Sequence, residues 1–590
     1  MLQYTRRGLS LVWQTSGRLA VAMAVATVVA GVLPGAIAWV GRHVIDAVLR
    51  AASGDVAARA SAERWVLVEL MLVLAMGVTS RAIALFRTLL RQLLGQRTNV
   101  VILEKALQLS LTQFEDAGLY DKLTRARREA SQRPLSLATQ SFELAQQGLT
   151  LLGLVAILLT WSVWILPVIL LASLPLFIAE LSFSTEQWKL SRFRTPESRE
   201  QMYLETLMAR EDHAKEMKLL DLGPTMLARY QAIFDKMFPS ERALSLRRAL
   251  WGMGLSLVGT AAFYGTYLVL VRATMRATMT IGAMSMYALA FKHAQTALSA
   301  GLASVGAMVE NNLYLSNLYE FLDTPTEREH GGDREGPSPR DGVRFEDVSF
   351  CYPDAKSPAL EHVTLHIAHG ARLAIVGENG SGKTTLIKLL CGLYQPTEGR
   401  ILLDGLDLRA WEPAALRRKV AMIFQDFVRY QLTVGENIGA GDATAYTDRE
   451  RWDQAAQRAM AKPVIDGLPE GYDTRLGKWF KGGRELSLGQ WQKVALARAF
   501  FRRDADVLVL DEPTASMDAE AEVQIFERFR EQTQDKIAIV ISHRFSTVRM
   551  ADEIVVLDHG RVLERGTHEE LVALGGRYAT LFALQAQGYR

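Results

Sequence analysis

Three uncharged runs constrain this chain more than any other feature. Leu19–Val40 and Leu250–Val271 contain no charged residue, and Leu144–Ala179 is uncharged over a length too great for one ordinary crossing. An α-helix needs about twenty apolar residues to cross a bilayer, so each run is long enough to span. Within the third run, "WSVWILP" (Trp161 to Pro167) combines interface-type tryptophans with a proline, which predicts a tight hairpin between two spans. Trp65–Phe86 and Ile281–Val309 complete a set of six spans, although both carry charge. The first run exceeds the ~7–15-residue apolar core of a signal peptide and is expected to be retained. Arg6, Arg7 and Arg18 precede it with no acidic residue among them, which places the N-terminus in the cytoplasm. Six crossings return the chain to that side, with Trp39 and Trp65 flanking one outer loop as an aromatic belt.

The hydrophobic share, 49%, collects in the first half, while the region after about Arg340 reads as an ordinary α/β domain. A net charge of +3 without a basic block gives no reason to expect a nucleic-acid partner. Two cysteines, Cys351 and Cys391, exclude a disulfide framework and fit a reducing compartment. The expected organisation is a membrane domain over 1–322, a linker over 323–342 and a nucleotide domain over 343–590. Leu-, Glu-, Lys- and Arg-rich stretches between spans two and three, and between four and five, read as helices extending the spans into the cytoplasm. "DTPTEREHGGDREGPSPRDG" (Asp323 to Gly342) has the Pro, Gly and charge content of a flexible linker.

In the second half, "RLAIVG" (Arg372 to Gly377), "VLVLDE" (Val507 to Glu512) and "KIAIVISH" (Lys536 to His543) are apolar runs of strand length ending in functional residues. Buried parallel strands have this form, and ligands gather at their carboxyl ends. "GENGSGKTT" (Gly377 to Thr385) matches G-x-x-x-x-G-K-[ST] between a strand and a helix. Gly377, Asn379, Gly380, Ser381, Gly382 and Thr385 belong to the loop that closes around the phosphates of ATP. Lys383 is expected to neutralise β- and γ-oxygens, and Thr384 to offer its hydroxyl to Mg²⁺. Asp511, ending an apolar strand, is expected to hold Mg²⁺ through water, and Glu512 to be the general base that polarises the attacking water. His543, at the end of the next strand, can reach the γ-phosphate, and Gln425, after "VAMIF", can sense Mg²⁺ or the water. "ELSLGQWQK" (Glu485 to Lys493) places a serine and a glycine ahead of a helix start, a second anion-facing turn.

The motifs "GENGSGKTT", "IFQD", "ELSLGQWQK", "VLVLDEP", "SMD" and "ISHR" fall in the order found in ABC-transporter ATPase domains, which this half resembles. The resemblance makes Gln425 the Q-loop glutamine, Glu512 the catalytic glutamate, Asp518 the D-loop aspartate and His543 the switch histidine. It also makes Tyr352, in "FCYPD", the aromatic that stacks on adenine. The whole chain is similar to a type IV ABC exporter half-transporter, which implies a six-span α-helical membrane domain followed by an α/β P-loop ATPase domain of the ABC type. "FEDAGLYDKLTRAR" (Phe114 to Arg127) and "AKEMKLLDLGPTMLARY" (Ala214 to Tyr230) resemble segments near the coupling helices of bacterial peptide and multidrug exporters. In this family the signature of one ATPase domain faces the phosphate loop of another, so Ser487, Gly489 and Gln490 are expected to complete a partner's ATP site, in a homodimer or, as the alternative, in a heterodimer with one degenerate site. One departure stands out: the signature usually reads L-S-G-G-Q, and Leu488 occupies the third position, without glycine's backbone freedom.

The expected function is ATP-driven export of a peptide or amphipathic small molecule by alternating access, from a multi-pass protein of the bacterial inner membrane. An importer or lipid flippase of the same fold, and a nucleotide-gated membrane regulator, are the alternatives. No peptidase domain is expected ahead of the first span. Lys292 is a candidate for the substrate path, because an ionisable group within a span costs about 2.5–3.5 kcal/mol to insert. Ser285, Gln295, Thr296 and Ser299 fall near the same face at helical spacing. A structural pair with Glu69, or a lysine reaching to an interface, is the alternative.

Overall fold

The structure is a computed structural model that describes residues 4–130, 133–193, 195–326, 332–353, 355–512 and 519–588. The chain divides into two compact units, one of Met1–Leu109 with Asp116–Pro325, the other of Ser110–Glu115 with Thr326–Arg590.

The helices of the first half are α1 (Thr5–Ala52), α2 (Val56–Leu107), α3 (Leu111–Glu115), α4 (Ala117–Ala130), α5 (Arg133–Leu159), α6 (Ile165–Phe193), α7 (Thr195–Ala209), α8 (Glu211–Leu219), α9 (Gly223–Met275) and α10 (Ile281–Leu322). All but α3 belong to the first unit. The expected hairpin is the short connection between α5 and α6. At 52 and 53 residues, α2 and α9 far exceed one bilayer crossing, because each continues through the polar stretches that extend its apolar run. Among the described residues five helices (α1, α2, α5, α6 and α9) are long and apolar enough to cross a membrane. The sixth expected span is a continuous 42-residue helix, α10, whose polar residues leave it below that hydropathy. Leu67, Met71, Leu74 and Val78 of α2 lie exposed, as side chains meant for an apolar solvent do.

Lipid tails are as apolar as leucine, so close backbone approach and hydrogen bonds hold such helices together. Both are present where α5 crosses α1. Thr150 Oγ1 donates to the carbonyl of Gly31 at 3.0 Å. A Cβ on Gly31 would stand 2.7 Å from Leu149 Cβ, so any larger residue would force the pair apart. Asp46 of α1 ties down the start of α10, accepting from Thr280 Oγ1 and the Gly282 amide at 3.1 Å each. Trp39 and Trp65 meet edge to face with ring centroids 5.8 Å apart.

The second unit has two sheets. One is antiparallel, in the order β2-β1-β4-β5, from β1 (Val343–Phe350), β2 (Leu360–Ile367), β4 (Glu398–Leu403) and β5 (Leu406–Asp407). The other runs β10-β9-β3-β8-β7-β6, from β3 (Arg372–Val376), β6 (Val420–Ile423), β7 (Val507–Asp511), β8 (Ile537–Ile541), β9 (Glu553–Asp558) and β10 (Arg561–Gly566). Its strands pair in parallel except β9 with β10. β7 and β8 are buried along their whole length, which is why both read as continuous aliphatic runs rather than alternating ones. Leu111 of α3 packs against the core of this unit.

Candidate ATP-hydrolysis site

β3 runs into the loop Gly377–Gly382 and then into the helix Lys383–Leu390. Gly382 has φ +101°, and a Cβ there would come within 2.7 Å of the Ala359 carbonyl, so only glycine fits. The Lys383 side chain folds back into this loop and donates to the carbonyls of Gly377 and Glu378 at 2.8 Å each. Burial lowers its pKa, against the raising effect of the Glu512 and Asp511 carboxylates. Ser381 Oγ is buried and has no hydrogen-bond partner among the described residues. A buried hydroxyl and a buried ammonium beside the start of a helix fit a phosphate group, which would supply the missing acceptor and charge.

β7 lies next to β8, with Asp511 opposite Ile541, so the residues after each strand end share one edge. Thr384 Oγ1 donates to Asp511 Oδ2 at 3.4 Å, bringing a hydroxyl and a carboxylate together. Burial first, then the neighbouring Glu512 charge, push the Asp511 carboxyl up to about 6. Two hard oxygen donors, at a carboxylate with no ion pair among the described residues, fit Mg²⁺. Glu512 has φ +48°, sparsely populated for a residue with a side chain, and its amide donates to the Ile541 carbonyl at 2.9 Å. That bond continues the ladder past Asp511 and turns the Glu512 side chain between two partners. Gln425 Nε2 donates to Oε2 at 2.8 Å, and His543 Nε2 lies 2.9 Å from Oε1. Tyr352 hydrogen-bonds Thr385 through its hydroxyl at 3.1 Å, and its half-buried ring meets Tyr394 edge-on, centroids 5.4 Å apart. Tyr394 in turn donates to Glu115 of α3.

In the signature the helix begins at Leu488, so Gly489 lies within it rather than ahead of it. Ser487 caps the helix Leu488–Phe501, accepting from the Gln490 amide at 3.3 Å while Gln490 Oε1 accepts from the Ser487 amide at 2.9 Å. Leu488 is therefore the first helical residue, and it is absent from the positive-φ positions. Glycine's backbone freedom is not required there, and what the leucine adds is a 45% exposed side chain. Among the described residues Ser487 and Gln490 bond each other and nothing in the phosphate loop. Asp518 lies outside the described residues.

On α10, Lys292 and Thr296 are exposed together, with Lys292 Nζ 5.4 Å from the centre of the Phe263 ring. Lys292 and Glu69 form no ion pair among the described residues. Gln295 turns instead toward Gly259 of α9, where its Nε2 fills the space a Cβ would take. Ser285 and Ser299 are half-buried.

Two supporting residues have no sequence signature. Gln585, on the C-terminal helix Arg577–Gly588, donates to the His543 carbonyl at 2.7 Å and accepts from the Phe545 amide at 3.0 Å. Arg577 of the same helix pairs with Glu378 of the phosphate loop. One helix thus holds both the loop and the segment carrying His543.

The profile of the family described as ABC transporter matches residues 360–515, the stretch carrying the phosphate loop and Glu512. The chain is 31% identical over 519 residues to the subtilin transport ATP-binding protein of Bacillus subtilis, covering 85% of this chain and 84% of that one. This chain is an ABC transporter. It is also 33% identical over 449 residues to an ATP-dependent lipid A-core flippase of Chromohalobacter salexigens, covering 75% of each. Its fold matches a bacterial Atm1-family ABC exporter with ATP bound at a TM-score of 0.80, covering 96% of this chain and 98% of that one at 24% identity. The transporter is thus a multi-pass membrane protein with an exporter fold, and its ATPase is coupled to transport.

Proposed function

We propose that this ABC transporter works as a homodimer that exports a peptide or amphipathic small molecule, with its ATPase units and N-terminus in the cytoplasm. The observation that carries the hydrolytic part is Glu512 held between Gln425 and His543, beside Lys383, Thr384 and Asp511. In this reading the loop residues Gly377, Asn379, Gly380, Ser381, Gly382, Lys383 and Thr385 bind the ATP phosphates, and Tyr352 stacks on the base. Thr384 and Asp511 would hold Mg²⁺, with Gln425 as a further candidate ligand, and the ion when bound would supply positive charge against the phosphates. Glu512 accepts the proton of the attacking water, Gln425 orients that water, and His543 donates toward the γ-phosphate. Ser487, Gly489, Gln490 and Asp518 act across the dimer, on the partner's nucleotide.

Peptide cargo is supported by the likeness to the subtilin transport protein. A lipid cargo is the second reading, supported by the likeness to the ATP-dependent lipid A-core flippase of Chromohalobacter salexigens. Purified protein in nanodiscs, assayed for ATPase against cationic peptides and against glycolipids, separates them. Peptide stimulation with no glycolipid response is the expected result, and the reverse would replace the peptide reading. The trans arrangement is tested by pairing a Lys383→Ala protomer with a Ser487→Arg protomer. One site of the mixed dimer then collects both lesions and the other neither. Random pairing leaves about a quarter of all sites intact, an upper figure because coupled sites are not additive.

A further inference from the structure

The hydrolytic residues gather at the carboxyl ends of β3, β7 and β8. A separate cavity of about 260 Å³ takes in Ala421 near the start of β6, Ala505 just ahead of β7 and Lys536 just ahead of β8. It lies at the other end of the sheet from the ATP site. Four cationic side chains line it: Arg458, Arg502, Arg503 and Lys536. They arrive from three places in the fold, the end of the helix Arg449–Arg458, the segment after the helix Leu488–Phe501, and the approach to β8.

What these cations bond to is neutral. Arg502 donates to the carbonyls of Gly441 at 2.8 Å and Val420 at 3.0 Å, and also to that of Arg417. Arg503 donates to the amide oxygen of Gln454, and Lys536 Nζ to the Arg503 carbonyl at 2.6 Å. Arg458 has no hydrogen-bond or ion-pair partner among the described residues. Asp504 and Asp506 lie close enough to act on Lys536, but Asp506 is engaged by Lys419 at 2.6 Å. Burial lowers the pKa of Arg458, Arg502 and Lys536, and the charge of Arg503 lowers that of Arg458 further. Asp442 also acts on Arg502, but none of these carboxylates forms an ion pair with the four cations among the described residues. Gathering partly desolvated like charges that lack a direct ion pair is costly, and a small anion between them would offset that cost.

We propose that this cavity binds a small, multiply charged oxyanion of the phosphate class. Planar guanidinium groups match phosphate oxygens in pairs, and a compact ammonium adds a point charge. The volume falls below the roughly 300 Å³ at which pockets for drug-sized ligands begin, so phosphate or pyrophosphate fits better than a nucleotide.

The test is thermal unfolding of the full chain in nanodiscs, in pyrophosphate and in sodium chloride at matched ionic strength. Pyrophosphate should raise the wild-type midpoint by at least about 2 °C. Lys383→Ala, which disables the phosphate loop, should keep that rise. Arg458→Gln/Lys536→Gln should lose it, and the single Arg458→Gln change should lose part of it. In chloride the double variant should be at least as stable as wild type, because it relieves repulsion. No rise in wild type, a rise abolished by Lys383→Ala, or an equal rise in the double variant would each overturn the assignment. A double variant destabilised in chloride would show that the cations serve packing, and would overturn it as well.

Discussion

Gln585 offers the sharpest test of how His543 is held. Replacing it with alanine removes two hydrogen bonds to the segment His543–Phe545, at 2.7 and 3.0 Å. A protein hydrogen bond contributes a net 0.5–1.5 kcal/mol or so, and water reaches at least one of these two, so about 1–2 kcal/mol of positioning is at stake. If that energy holds His543 against Glu512, kcat should fall by about 5–30-fold. The KM for ATP should stay within about twofold, because among the described residues Gln585 hydrogen-bonds neither the phosphate loop nor Tyr352. Gln585→Glu keeps an acceptor for the Phe545 amide but loses the donor to the His543 carbonyl, so it should fall between alanine and wild type. The assay is steady-state ATPase of the purified protein over a range of ATP concentrations. Unchanged kcat, or a loss confined to KM, would refute the reasoning.

Glu512→Gln should still bind ATP, while kcat falls by about 10²–10⁴-fold if the carboxylate is the general base; near-normal turnover would remove it from that role. Leu488→Gly should leave ATPase within a few-fold and lower stability by up to about 1 kcal/mol, since the position is helical, and a large gain in turnover would show that the leucine obstructs the signature. Lys292→Met should change how cargo stimulates ATPase and leave basal turnover intact, whereas lost expression would indicate a structural lysine. Tyr394→Phe, which removes the hydroxyl bound to Glu115, should weaken cargo stimulation at unchanged KM for ATP; a raised KM instead would make Tyr394 part of the nucleotide site.

The parts legible in the sequence are those whose physics is local. Strands buried on both faces must be aliphatic throughout, so β3, β7 and β8 stand out as runs, with functional residues directly after them. A phosphate loop needs glycines at fixed offsets before a lysine, and Gly382 shows the reason in its backbone angle and its closeness to Ala359. Gln585 and Arg577 are illegible because their partners lie 42 and 199 residues away, chosen by packing with no periodic pattern. Leu488 misleads for another reason. A glycine in a motif suggests a backbone demand, yet at this position the residue is helical and the glycine's smallness is what differs. On α10, helical spacing groups Lys292 and Thr296 on one exposed face, but it cannot foresee that Gln295 turns to fill the gap at Gly259.

The geometry of the signature helix also bears on why one chain carries two phosphate-facing turns. A helix begins with amides that have no intrahelical partner. Here the reciprocal cap between Ser487 and Gln490 satisfies the Gln490 amide, and the amides of Leu488 and Gly489 are left without such a cap. The Ser487 hydroxyl accepts one bond and retains its own proton to donate. The helix start is thus rigid, carries the positive end of a dipole and still has donors available. In the phosphate loop Lys383 is held on two carbonyls of the loop itself, the Ser381 hydroxyl has no partner among the described residues, and Glu512 stands just after a neighbouring strand. Within one chain the two turns share no hydrogen bond among the described residues, so each has unsatisfied groups of the same chemical kind. In the proposed homodimer a nucleotide held between two copies would satisfy both at once, so ATP would hold the dimer together and its hydrolysis would weaken it.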